Sequence, residues 1–194
     1  MNPWIAKAVI RTAIIVMAAI RLPHVSRSRR VKVVTNRKGR VEVILTVVAM
    51  LGFFVVPLVW AGSWIFSFAE YPLRRGPLVA GVAFFVVGLW LLHRSHADLG
   101  TNWSTTLQVR ENHRLIAHGV YRRIRHPMYA AFLLYSVGQM LVLPNWVAGP
   151  SSLVAFGIVF ALRVHAEEQM MLEEFGAEYS AYMAKTKRLI PGLW

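Results

Sequence analysis

The chain has 194 residues, of which 56% are hydrophobic and only 16% charged, whereas a soluble domain carries about 25% charged residues. Its formal net charge is +13, but the basic residues lie between long apolar runs, which argues for a lipid bilayer and anionic lipid headgroups as partners and against nucleic acid. There is no cysteine, which excludes disulfides, thiol nucleophiles and cysteine-ligated metals.

The first predicted helix is Trp4–Ile20. Its basic start (Lys7, Arg11) and apolar Thr12–Ile20 resemble a secretory signal, but Arg21, Leu22, Pro23 and His24 follow where small residues should allow cleavage, so it reads as a retained helix. The basic stretch Arg27–Lys32 reads as a solvated loop that fixes topology and touches anionic lipid. Val43 to Ala69 contains no charged residue and is long enough for a hydrocarbon core of about 30 Å. Gly52, Pro57 and Gly62 fall inside it, which membrane helices tolerate where neighbours satisfy the freed backbone groups. Gly76–Leu92 is the next uncharged run. Pro127–Leu162 is too long for one helix and is interrupted by Pro144-Asn145 and Gly149-Pro150, so a helical hairpin is expected, Met128–Leu143 and Ser151–Arg163. Its arms reach roughly 24 Å or less at 1.5 Å per residue.

Lys and Arg set the orientation. Arg21–Arg40 holds eight, His93–His126 six and Arg163 to the end four, against four on the other side (Lys7, Arg11, Arg74, Arg75). That asymmetry predicts five membrane helices with the N-terminus outside and the three basic segments in the cytoplasm. No internal repeat or low-complexity tract is present.

The polar residues collect in His93–His126 and Arg163–Trp194, each abutting a membrane helix. A transporter would concentrate them near the midplane; an enzyme joining a soluble cofactor to a membrane-borne substrate would place them at one face. In the first segment Pro127 biases His126 to extended backbone and suits the first turn of the next helix, whose N-terminal amides favour anionic groups. A bland reading stands beside this one: a polar helix start with snorkelling arginines. In the second, Arg163 and Glu167 share a helix face at i, i+4, with Glu168 about 100° further round. Such charges at a membrane boundary are costly unless paired or used, and a plain ion pair on an emerging helix explains them equally in kind. His93 and His96 are too few for a metal site, and none is expected. No G-x-G-x-x-G occurs, so no Rossmann domain is expected.

The ordered pieces Leu99-Gly100-Thr101-Asn102-Trp103, Gly119-Val120-Tyr121, Arg125-His126-Pro127-Met128-Tyr129, then a hairpin, Arg163, Glu167-Glu168, Phe175-Gly176-Ala177-Glu178-Tyr179, Tyr182 and Ile190-Pro191 resemble the isoprenylcysteine carboxyl methyltransferase family. They span about residues 95–191. The resemblance implies S-adenosylmethionine as methyl donor, S-adenosylhomocysteine as product, and a lipophilic carboxylate acceptor, a prenylcysteine or a similar membrane-soluble molecule. It implies a cofactor site at Gln108, His113, Arg114, Leu115, Ile116, Gly119, Val120, Tyr121, His126, Pro127, Met128, Tyr129 and Glu168, capped by the C-terminal helix. It puts the substrate-side arginine at Arg163, with Glu167 and Glu168 completing the catalytic set.

The fold expectation is therefore an all-α, multi-pass integral membrane protein of five transmembrane helices, with a C-terminal helical hairpin and cytoplasmic cofactor-binding segments. Residues 1–92 form three N-terminal spans and 93–194 the catalytic region. Three rivals remain. A phospholipid N-methyltransferase needs a neutral amine acceptor and so favours a carboxylate base over Arg163. A sterol-type reductase would use a nicotinamide cofactor, and a non-enzymatic lipid-binding protein would keep the Arg–Glu pair as structure only.

Overall fold

A computed structural model describes residues 1–28, 33–36, 39–100, 108–110 and 115–192. Helix α1 (Pro3–Ser28) buries Ala6, Ile10, Ala13 and Met17, one stripe at helical spacing. Arg11, which interrupts the apolar run of this helix, reaches across so that its Nη2 donates to the Ala61 carbonyl at 2.7 Å. Ala61 lies in the last turn of the next helix, where unsatisfied carbonyls favour a cation. α1 continues past the expected end at Ile20, through Pro23.

After strand β1 (Val33–Asn36) comes α2 (Arg40–Gly62), which contains a π turn at Leu51–Val55. A π turn leaves backbone groups outside the regular ladder, and here partners take up the freed carbonyl. Gly52 O accepts from Gln139 Nε2 at 3.3 Å and from Ser151 Oγ at 3.0 Å. The expected span to Ala69 is shorter: α2 stops at Gly62 because Ser63 turns extended (φ −140°, ψ 178°). Only a short 3-10 turn, Ser67–Ala69, follows.

Helix α3 (Arg75–Leu99) is longer than the uncharged run Gly76–Leu92, because it carries the polar His93–Leu99 as two further turns. It leads to β2 (Gln108–Arg110), which pairs antiparallel with β1. This two-stranded ladder is the one sheet among the described residues of a mainly helical chain. The hairpin is present as α4 (Pro127–Val142) and α5 (Ser151–Phe175). α5 runs well past Arg163, so its second half leaves the apolar region and presents a polar face. α6 (Ala177–Lys185) follows after Gly176, whose φ of 52° suits glycine.

α3 and α4 pack most closely. A Cβ on Gly81 would come within 2.6 Å of Val142 Cγ2, one on Gly88 within 3.0 Å of Ala131 O, and one on Gly138 within 2.9 Å of Gly81 O. Small residues let membrane helices approach this closely without a hydrophobic force to drive them together. Among the described residues two helices, Arg40–Gly62 and Arg75–Leu99, are long and apolar enough to cross a membrane, and Pro127–Val142 is a shorter apolar helix. The turns at the far end are tied together, with Asn145 Nδ2 donating to Phe66 O at 2.7 Å. The opposite end, where α3 finishes and α4 begins, is left to assemble the polar residues.

Candidate active site

Pro127 starts α4, so Arg125 and His126 arrive at the mouth of the helix bundle in fixed positions. His126 is not fully extended: φ is −125° but ψ only 57°. Its backbone serves two partners, which accounts for the departure. Its amide donates to Arg188 O at 3.0 Å, and its carbonyl accepts from Ala130 N at 3.1 Å as the helix cap. Arg125 N donates to Lys187 O at 2.8 Å, and Ile124 bridges Lys187 in parallel. The C-terminal stretch is thus laid along residues 124–126 like an added strand.

Glu168 stands at the centre. Its Oε1 accepts from Arg125 Nε at 2.6 Å and lies 3.2 Å from His126 Nε2. Its Oε2 accepts from Arg188 Nη2 at 2.7 Å. The carboxylate is buried, which opposes ionisation, but the hydrogen bonds from His126, Arg188 and Arg125 outweigh burial and hold it well below the usual carboxylate range. Arg125 Nη1 also donates to Thr186 O at 2.7 Å. The Tyr182 hydroxyl donates to Tyr121 O at 2.7 Å, and burial pushes its phenol up to about 12, so it remains a donor at neutral pH.

A second cluster adjoins the first. Arg163 Nε is 2.8 Å from Glu167 Oε1, and Arg163 Nη1 is 3.6 Å from Glu42 Oε2. The Tyr129 hydroxyl donates to Glu167 Oε1 at 3.0 Å. His126 joins the two clusters, with Nδ1 3.9 Å from Glu167 Oε2. The Tyr129 ring lies edge-on to His126, with centroids 5.6 Å apart, and edge-on to Phe160 at 5.3 Å. One polar layer therefore runs from Arg163 to Arg188, with aromatic rings beneath it.

Gly119-Val120-Tyr121 forms a 3-10 turn with Arg122, anchored on the end of α3. Val120 N donates to Asp98 Oδ2 at 2.9 Å, and Arg94 pairs with Asp98 at 3.1 Å. Gly119 has φ 58°, and a Cβ there would overlap the Asp98 carboxylate, so this position needs glycine on both counts. The Tyr121 side chain is buried and its hydroxyl lies 3.5 Å from Ser95 O.

Of the residues expected from sequence, His126, Tyr129, Arg163, Glu167 and Glu168 come together directly. Pro127 and Met128 form the helix start, and Gly119, Val120 and Tyr121 flank the cluster through Tyr182. Leu115 and Ile116 lie just before that turn. Gln108 is in β2, with Asn36 as its strand partner. His113, Arg114, the stretch Thr101-Asn102-Trp103 and the basic residues 29–32 lie outside the described residues. The resemblance puts Glu168 in the cofactor site; here Arg125, His126 and Arg188 already surround it. Three members escaped the sequence reading of roles. Arg125 was legible only as part of a motif, and Arg188 carried no signal beyond its charge. Glu42 did carry one: it is the sole acidic residue in the first 69.

Comparison with known proteins adds an independent observation. Residues 81–173 match the model of the isoprenylcysteine carboxyl methyltransferase (ICMT) family. The chain is 33% identical over 132 residues to protein-S-isoprenylcysteine O-methyltransferase A of Arabidopsis thaliana, an overlap covering 66% of this chain and 60% of that protein. It is 29% identical over 115 residues to the Homo sapiens protein-S-isoprenylcysteine O-methyltransferase, covering 58% of this chain and 40% of that one. A solved structure of a eukaryotic intramembrane Ras methyltransferase, ICMT, superposes with a TM-score of 0.53 at 26% identity, covering 82% of this chain and 55% of that chain. The chain spans at most 60% of the length of these relatives.

Proposed function

We propose that this chain, whose residues 81–173 match the isoprenylcysteine carboxyl methyltransferase family, is an S-adenosylmethionine-dependent O-methyltransferase. Its acceptor is the carboxylate of a prenylcysteine-like or other lipophilic molecule held in the bilayer. The observation that carries this reading is the continuous layer from Arg163 through Glu167, Tyr129 and His126 to Glu168, assembled where α4 begins. Residues 93–194 act as the catalytic region, and residues 1–92 supply membrane helices.

The donor set fits the cofactor. Glu167 suits an ammonium or ribose hydroxyls, the Tyr129, Phe156 and Phe160 rings suit a sulfonium through their π faces, and Arg125 and Arg188, which hold Glu168, give the rim a positive charge that suits the cofactor's carboxylate. Gly119, Val120, Tyr121, Leu115, Ile116 and Gln108 are assigned to the cofactor side on the family resemblance, as are His113 and Arg114, which lie outside the described residues. When bound, S-adenosylmethionine supplies an electrophilic methyl carbon. The protein's own task is then small. A carboxylate acceptor is already ionised at neutral pH, so no general base is needed, and no proton moves. Arg163 holds the acceptor by charge-assisted hydrogen bonds, and Glu167 holds the guanidinium at its Nε side.

The same reading gives five spans with the site in the cytoplasm and its basic rim against anionic lipid headgroups, resting on the Lys and Arg asymmetry. C-terminal reporters active only in the cytoplasm should be active. The decisive test is calorimetry with S-adenosylhomocysteine on detergent-purified protein, beside methyl transfer to a small prenylcysteine. Parent protein should bind and turn over, and folded His126→Ala should bind weakly. Binding of a nicotinamide cofactor instead, or neither activity, refutes the proposal.

A further inference from the structure

Glu42 belongs to no motif, lies outside the matched residues 81–173 and stands at the start of a helix otherwise apolar for two turns and more. It is nonetheless buried, at 6% exposure. Burying a carboxylate is costly unless a cation or hydrogen bonds compensate. α2 offers it none: apart from Arg40 at its start, Glu42 is the only ionisable residue of the helix. Its compensation comes from α5, where Arg163 Nη1 lies 3.6 Å from Glu42 Oε2. The approach of the two helices that makes this contact is fixed further along, where Gly52 packs against Ala155 and Ser151.

The consequence lies in the guanidinium. A planar fork gripped at one nitrogen can still swing about that contact. Arg163 faces two carboxylates: Nε lies 2.8 Å from Glu167 Oε1 on its own helix, and Nη1 lies 3.6 Å from Glu42 Oε2 on another, an ion pair rather than a hydrogen bond. Carboxylates from two separate helices bracket the group, and the second biases its plane through a charge attraction that is strong where both partners are desolvated. A surface ion pair has no use for this second, desolvated partner, whereas a group that must align a small anion within a fraction of an ångström does.

We propose that Glu42 is a positioning residue for the acceptor step: acting through Arg163, it sets the guanidinium plane against which the acceptor carboxylate is aligned. It makes the N-terminal membrane helices part of the site rather than only its anchor. The inference rests on the methyltransferase reading and deepens it.

The test uses the full chain in detergent with a small prenylcysteine and S-adenosylmethionine. Glu42→Gln keeps the shape and removes the charge. Turnover should fall roughly tenfold, less than for loss of Arg163 itself, because Glu167 still holds Nε. S-adenosylhomocysteine affinity should stay within twofold of parent, since the cofactor-side residues are untouched. The discriminating measurement is coupling with Arg163→Lys. If Glu42 acts through Arg163, the double variant should be no slower than Arg163→Lys alone; a purely structural residue would multiply its penalty onto that of the lysine. Multiplicative losses, or a Glu42→Gln enzyme with parental turnover, overturn the proposal. If Glu42→Gln does not fold, Glu42→Asp keeps the charge and is measured in the same cycle, with the same two outcomes. Parent protein that transfers no methyl group to any carboxylate refutes the methyltransferase reading instead, and does so before Glu42 is touched.

Discussion

Glu168→Ala should free the C-terminal stretch long before it unfolds the protein. The substitution leaves Arg125 and Arg188 facing each other across the vacated position, with side-chain exposures of only 11% and 22%. Removing one partner of a buried ion pair costs about 3–5 kcal/mol. Arg188 can turn toward water, so the lower end applies, about 3 kcal/mol. The loss falls on the segment that Arg188 anchors, whose other ties include the Lys187 and Arg188 carbonyls on the amides of Arg125 and His126, the Thr186 carbonyl on Arg125 Nη1 and the buried Leu189. At 1.4 kcal/mol per tenfold, the detached state gains about 10²-fold in population. Trypsin reads this directly, because Lys185 and Lys187 have exposed side chains while the backbone around them is pinned. Where opening and closing are faster than cleavage, the cleavage rate follows the open population. Cleavage after Lys185 and Lys187 should therefore accelerate about 10²-fold in Glu168→Ala, and about tenfold in Arg188→Ala, which sacrifices only its own charged hydrogen bonds. Cleavage at Arg74 and Arg75, at the other end, should not change. A parental rate at Lys187 in a folded Glu168→Ala protein would show that the ion pair does not hold the segment.

Arg163→Lys keeps the charge but not the fork, so turnover should fall about 10²-fold with little change in S-adenosylhomocysteine affinity; equal turnover removes Arg163 from the acceptor site. Gly138→Ala drives a methyl group toward Gly81 O and Phe85 and should destabilise by about 1–3 kcal/mol, seen as a lower thermal midpoint, while Gly157→Ala, with open space around it, should be neutral or slightly stabilising. The pH response follows from Glu168, whose pKa is depressed in the fold. Its contribution is fully present above the unfolded carboxylate value near 4.3 and is lost as pH falls through the lower folded value. Stability measured from pH 7 down to 3 should therefore decline less steeply in Glu168→Gln than in parent.

The apolar spans and the hairpin were legible in the sequence because charge-free length and paired Pro and Gly breaks are local signals. So was the helix start at Pro127, since proline fixes its own backbone and restricts His126. Arg163 and Glu167 were legible as an i, i+4 pair on one helix. What escaped depends on contacts between segments distant in sequence. Arg11 looked like a flaw in the first helix, and only the end of α2 explains it. Gly52 looked like a tolerated break, whereas its carbonyl is a junction for Gln139 and Ser151. Arg188 is 20 residues from Glu168 and Glu42 lies far earlier than Arg163, so no spacing rule connects them. The end of α1 was misplaced for a simpler reason: its polar extension lacks the apolar signal that marks a span, yet backbone hydrogen bonding carries the helix on.

The parallel seating of residues 187–188 on residues 124–126 also imposes a chronology. A chain is made from its N-terminus, so Arg125 and His126 are in place, and α4 and α5 inserted, before Arg188 exists. Until then Glu168 has only its two upstream partners, and the amides of Arg125 and His126 face water or lipid headgroups. The helices can be threaded into a bilayer one after another, but the polar layer closes as a final act, after insertion is complete. A nascent chain stalled before residue 188 would hold its membrane helices and lack a finished site.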